Sequence, residues 1–310
     1  MDPRPARFGP WWGGAILLGL VALMVVVAAV RGTVVAGEST AAPVPAPPEP
    51  GHCLLENLFD GGFGGYVVEE NTALPGGRTG VCDGARFGEV VWIGAGVDLA
   101  TSFQDGAWER CWTDAAGYLG LPERATDDDH GVPDVNLLTA LIGPDRRQRA
   151  AGQDWAACAV QLVTSDTGAG PTIEHSLRNA WSRAADRRLL ALCVSDEHLL
   201  YPVDCRDRHG AEQLSTWPGD RTGFGQPDVD ACRQSAVDAL GSPAALDRGD
   251  LTALAQPTRW NETTGQQITG PDAVSAGQPY VITCLLVPAD PARTLVGPLR
   301  DLGDAPLPLG

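Results

Sequence analysis

The eight cysteines of this 310-residue chain form two sets of four, each embedded in the same order of short text blocks. Cys53, Cys82, Cys111 and Cys158 make the first set; Cys193, Cys205, Cys232 and Cys284 make the second. Cys111 is followed by Leu119-Gly120 and Pro122, and Cys232 by Leu240-Gly241 and Pro243, at identical offsets. Leu138-Thr139-Ala140-Leu141 with Pro144 is matched by Leu251-Thr252-Ala253-Leu254 with Pro257. Ala151-Gly152-Gln153 precedes Cys158 as Ala276-Gly277-Gln278 precedes Cys284. A solenoid needs three or more units, so this pattern predicts two small domains, each with its own core.

The N-terminus sets the compartment. Trp11 to Val30 is a run of 20 uncharged residues. As a helix it spans roughly 30 Å, the thickness of a bilayer core. Arg4 and Arg7 precede the run and only Arg31 follows closely, which predicts a cytoplasmic tail at 1–10 and the bulk of the chain outside. The other reading is a cleaved signal peptide. The run is longer than a usual h-region, and Val34-Val35-Ala36 is a poor cleavage site, so residues 11–36 are expected to be a signal anchor. Residues 37–50, rich in Pro and Ala, then form a semi-rigid linker with nothing to bury.

Outside the cytoplasm, an even number of cysteines reads as disulfides. The preferred pairing stays within repeats: Cys53 with Cys82, Cys111 with Cys158, Cys193 with Cys205, Cys232 with Cys284. Four cysteines allow three connectivities, so the spacing leaves the others open. Charge narrows the partners. The first 31 residues hold three Arg and one acid, leaving 19 basic and 38 acidic residues beyond them, net −19. Such a surface repels nucleic acid and anionic headgroups. The chain contains no lysine.

The first module is expected at 51–188 and the second at 189–310. In the second, an N-cap at Asp228 and the phases of Val229, Cys232, Ala236 and Leu240 predict an amphipathic helix, ended by Gly241 and Pro243. Trp108, Cys111, Ala115 and Leu119 hold the same phases before Gly120 and Pro122. Glu89–Ile93, Trp155–Val163 and Tyr280–Val287 read as strands. Each module is therefore α+β: a mostly antiparallel sheet with a helix packed on one face and stapled to it. Insertions in the first module, at Gly61–Gly65 and Asp127–Asp129, belong on exposed loops.

Within Val203 to Glu212, the pattern Cys205-x3-His209-x2-Glu212 resembles the core of the septum-formation domain of membrane-anchored proteins in high-GC Gram-positive bacteria. The Cys-helix ending in Leu-Gly, the Pro257/Trp260 stretch, the Cys-containing strand and the closing Gly297-Pro298-Leu299-Arg300 are similar too. The first module resembles a diverged copy. Cys82 and Glu89 keep the spacing, Arg86 stands at the His position, and Ser176-Leu177-Arg178 matches the ending. The resemblance implies a role in cell division or envelope growth and no established catalysis.

His209 and Glu212, with Arg86 and Glu89 as their counterparts, are thus the candidate binding residues. A His titrating near neutral pH beside a carboxylate can contact a ligand; the structural alternative has His209 bonding a loop and Glu212 starting a strand. Trp217, between polar turn residues, is the expected exposed aromatic contact. Cys193, His198, Cys205 and His209 have short spacings, but the compartment favours a bridge over zinc. The Asp127–Asp129 loop lacks the spacing of a calcium-binding EF-hand. No nucleophile elbow or phosphate loop occurs, and Asn261-Glu262-Thr263 is a glycosylation sequon. The expected protein is non-enzymatic, without metal or cofactor. It is anchored in the membrane through 11–36 and binds a protein of the division or wall machinery. The alternative is a ligand-binding sensor ectodomain for an envelope component.

Overall fold

The computed structural model describes residues 17–23, 43–58, 74–75, 79–95, 106–122, 133–164, 170–195, 202–219, 223–261, 266–274 and 278–310. The fold is α+β, with two mainly antiparallel six-stranded sheets and four disulfides. All four bridges are the within-repeat pairs expected from the sequence.

The first sheet holds β1 (Cys53–Leu54), β2 (Leu74–Pro75), β3 (Thr79–Gly80), β4 (Gly88–Ala95), β5 (Leu137–Gly143) and β6 (Trp155–Leu162). Their spatial order is β2-β5-β6-β4-β1-β3. The second holds β7 (Leu192–Val194), β8 (Pro202–Val203), β9 (Ala211–Pro218), β10 (Leu251–Asn261), β11 (Gln266–Thr269) and β12 (Val281–Pro288). Their order is β11-β10-β12-β9-β7-β8. Five of the six positions correspond strand for strand, so the repeat in the text is a repeat in topology. The sixth position differs. β2 pairs parallel with β5, whereas β11 turns back from β10 and pairs antiparallel.

β5 and β10 carry the repeated Leu-Thr-Ala-Leu blocks, which the strand reading of the sequence passed over. Pro257 inside β10 argues against a central strand. The structure resolves the conflict through register. β11 pairs only with Thr258–Asn261 of β10, so at Pro257 this side of the strand is an edge that needs no N–H.

One helix packs on each sheet. These are α1 (Ala107–Leu119) and α4 (Gln226–Leu240). Cys111, Ala115 and Leu119 face the first core, and Cys232, Ala236 and Leu240 the second. Both helices end where predicted: Gly120 (φ 74) and Gly241 (φ 73) adopt the left-handed conformation that a side chain disfavours. The start of α4 is corrected. It begins at Gln226, and Asp228 is its third residue, accepting from the Gly225 N–H at 2.9 Å. Val229, expected on the buried face, is 37 % exposed. The Cys111–Cys158 and Cys232–Cys284 bridges tie each helix to a central strand, β6 or β12. A second cluster, with Leu54, Val90, Ile142 and Trp155, fills the opposite face of the first sheet.

Short α-helices among the described residues from Pro45 onward are α2 (Arg146–Ala150), α3 (Ala184–Leu189) and α5 (Ala244–Asp247). The module boundary expected after Arg188 falls inside α3, and Leu189 and Leu190 pack into the first core. The modules are docked through backbone as well as side chains. Asp134 N–H donates to the Leu214 carbonyl at 2.7 Å. The Asp134 carboxylate accepts from Thr216 at 2.7 Å and Gln213 at 2.8 Å.

The linker expectation is corrected at its C-terminal end. The compact unit begins at Pro45, whose carbonyl accepts from Gln153 at 2.9 Å and from Gln148, on α2, at 3.2 Å. Residues 17–23 are helical with exposed apolar side chains. The rest of the expected anchor at 11–36 lies outside the described residues, and among those described no helix is long and apolar enough to cross a membrane. The Gly61–Gly65 and Asp127–Asp129 insertions, His198, and Glu262 and Thr263 of the sequon also lie outside them.

Candidate functional site

The second residue of β4 is Glu89 and the second residue of β9 is Glu212; both carboxylates are buried, at 1 % and 0 % exposure. Each reaches the closing segment of its own module. Glu89 Oε2 accepts from the Leu177 N–H at 3.0 Å, the Ser176 hydroxyl at 3.1 Å and the Tyr118 hydroxyl at 2.8 Å. Glu212 Oε2 accepts from the Leu299 N–H at 2.6 Å. The carboxylate therefore latches the Ser176-Leu177-Arg178 and Pro298-Leu299-Arg300 endings onto the start of each strand.

The duplication runs deeper than the motif. Arg86 forms a two-hydrogen-bond bridge with Ile173, and His209 an identical one with Leu295, four residues before the latched leucines. After the latch, Asn179 and Asp301 both take φ 54, the left-handed region that Asn and Asp tolerate better than most residues. Their N–H groups donate to Tyr118 and Ala239, the penultimate residues of α1 and α4, both at 2.8 Å. The tail of each module is thus pinned to both strand and helix.

What differs is the cation. In the first module Arg86 approaches Glu89 Oε1 at 3.3 Å. In the second, the corresponding residue is His209, and Arg300 approaches Glu212 Oε1 at 3.4 Å instead. Arg178, the counterpart of Arg300, is released from this duty and lies over the Tyr118 ring, 4.5 Å from its centroid. The difference between the modules at Arg86 and His209 therefore has a physical reading. A buried carboxylate needs a cation, and the two modules supply it from opposite ends of the motif.

Burial raises the pKa of Glu212, and the Arg300 charge and the Leu299 and Arg300 N–H groups oppose that rise. Burial likewise lowers the pKa of Arg300, opposed by Glu212. The Tyr118 hydroxyl is held above its ordinary range by burial first, with the Glu89 carboxylate adding to the effect. A Glu whose folded pKa is raised weakens the fold in its ionised form. Its contribution is most favourable below the unfolded value near 4.3 and declines as pH climbs through the folded pKa. Measured against Glu212→Gln, the wild-type protein will accordingly lose relative stability as pH rises across that window, read from denaturant midpoints at a series of pH values. A difference independent of pH would contradict the assignment.

His209 is fully buried, and its Nδ1 lies 2.8 Å from the Asp207 carbonyl. It bonds a turn while Glu212 opens a strand, as the structural alternative in the sequence reading had it. Trp217 is corrected: it is 1 % exposed and packs in the second core beside Cys232 and Ile282. β9 runs on to Pro218 and pairs with β12, Trp217 opposite Ile282, so its polar neighbours belong to a strand and not to a turn. The four motif residues do not meet; they form two separate latches, one per module.

Cys53, Cys82 and Glu89 bring their ligand atoms within 4.8 Å of one another. The two sulfurs are bonded to each other, and the carboxylate is already engaged. Cys193 and Cys205, two members of the possible zinc set, are likewise a disulfide. Sequence reasoning missed Arg300 and Tyr118 as partners of the carboxylates. The repeated Leu-Arg ending was the available signal, but nothing local ties it to a glutamate 87 or 88 positions away.

At the joint between modules, Arg187 of α3 grips both carboxylate oxygens of Asp301 at 2.8 Å, and Arg188 donates to the Asp301 carbonyl at 2.8 Å. Arg300 donates to the Asp134 carbonyl at 2.7 Å and lies 5.0 Å from the Trp181 ring centroid. The same segment that closes the second module thus holds the first. Beside it opens a cleft of about 390 Å³, lined from both modules. Compared with protein-family models, curated proteins and solved structures, the chain matches none.

Proposed function

We propose that this chain is an extracytoplasmic, non-enzymatic binding protein of cell division or envelope assembly, held at the membrane by residues 11–36. The observation that carries this reading is the double latch. Glu89 and Glu212, the acidic residues of the family-like motif, are occupied in tying each tail to its sheet. The motif is then a signature of the fold, and recognition falls to surfaces that the two modules present together. Four disulfides favour an oxidising compartment, and the net charge of −17 disfavours nucleic acid.

The test is imaging of the full chain, tagged at its N-terminus, through one division cycle. Enrichment at the new septum is the expected result; a uniform envelope signal throughout division would remove the division role. The second reading, a ligand-binding ectodomain, is favoured by the cleft between modules, since small-molecule sites recur at such junctions.

A further inference from the structure

We propose that the cleft between the two modules binds a small, neutral polyhydroxyl molecule of the saccharide class. This goes beyond the adaptor role and gives the ectodomain reading, on which it rests, a ligand chemistry. The cleft volume of about 390 Å³ lies inside the range of about 300–1,000 Å³ found for small-molecule sites. Trp181 and Arg187 come from the first module; Ser215, Ser235, Asp238 and Arg300 come from the second.

The wall is built, with polar groups set in the protein interior. Ser215 is 2 % exposed and Arg300 is 3 % exposed, and both line the cleft. The Ser215 and Ser235 hydroxyls lie 3.4 Å apart, one from β9 and one from α4.

Charge selects the ligand class. The Arg187 guanidinium is matched by both oxygens of Asp301. The Arg300 guanidinium lies against the Glu212 carboxylate. Each positive charge in the described wall is therefore already compensated, which leaves little to draw an anion. Asp238 adds a carboxylate at the mouth, with one oxygen bonded to Gln234 at 2.8 Å. What the wall offers is a charged acceptor and a pair of hydroxyls, that of Ser215 donating to that of Ser235. Sugar hydroxyls satisfy such groups because they too donate and accept.

The experiment is ligand-observed NMR on the full chain in a detergent without a sugar headgroup. The probes are glucose, N-acetylglucosamine and maltose, against glutamate and inorganic phosphate. At least one sugar is expected to bind saturably and to lose about tenfold in affinity in Asp238→Asn, through loss of a charge-assisted hydrogen bond. Asp230→Asn, on the same helix and outside the cleft wall, is expected to leave binding unchanged. Both aspartates are exposed residues of α4, so folding is not at stake. Absence of sugar binding overturns the proposal, as does binding indifferent to Asp238→Asn or preference for glutamate or phosphate. Saturable glutamate or phosphate binding that Asp238→Asn alters would leave the ectodomain reading standing with another ligand class. No binding by any of the five probes would count against both. Septal localisation is read independently, so the adaptor role stands or falls apart from these outcomes.

Discussion

Replacing Glu212 with Ala will destabilise the folded unit by about 3–5 kcal/mol, the range seen when one partner of a buried ion pair is removed. The magnitude follows from what is left behind. Arg300 is 3 % exposed, and without Glu212 its guanidinium keeps the Asp134 and Leu214 carbonyls and the Trp181 ring but no carboxylate beside it. The Leu299 N–H loses its acceptor in a buried site. Both failures fall on the segment that carries Asp301, so the grip of Arg187 and Arg188 on the second module weakens as well. Glu212→Gln will do less harm at neutral pH, because an amide oxygen can still accept from Leu299 and no charged side chain is buried at that position. Equilibrium urea unfolding distinguishes the two variants; a loss below about 1 kcal/mol for Glu212→Ala would mean that the latch is ornamental.

Removing the Cys232–Cys284 bridge by a double Ser substitution will lower stability by about 2–5 kcal/mol. The bridge closes 52 positions and joins the buried face of α4 to the central strand β12. Its sister in the same module, Cys193–Cys205, closes only 12. Loop entropy in the unfolded chain grows with the logarithm of loop length, so the longer bridge will be worth roughly 1 kcal/mol more. Substituting both cysteines of each pair avoids a stray thiol that could exchange with the remaining bridges. Thermal melting of the two double variants under oxidising conditions checks the order. Equal losses would show that native packing, and not unfolded-state entropy, sets the effect.

These two expectations draw on different layers of information. The bridges were legible because their residues come in a repeated pattern and because a cysteine on the apolar face of a helix has few places to go. The helix ends were legible for a similar local reason: Gly120 and Gly241 sit where only a left-handed turn fits. β4 and β12 carry enough β-branched and aromatic residues to be seen, and β6 shows a partial alternation. The Leu-Thr-Ala-Leu strands were not recognised; in β10 an internal proline argues against a strand, and only the register of β11 makes Pro257 acceptable. Trp217 misled for the converse reason. Its neighbours are polar, and its burial depends on β12 lying opposite.

The site divides along the same line. Read alone, the chain was enough to define two disulfide-stapled α+β modules and to single out Glu89, Glu212, Arg86 and His209, because spacing and repetition are properties of text. It could not say what those residues do. A carboxylate becomes a latch only when a segment 87 or 88 positions later folds back against it. The exchange of cation between Arg86 and Arg300, the docking of the modules and the cleft beside Asp301 likewise arise from contacts distant in sequence. Tertiary structure decided them because burial, and the need of a buried charge for a partner, exist only once the chain has folded.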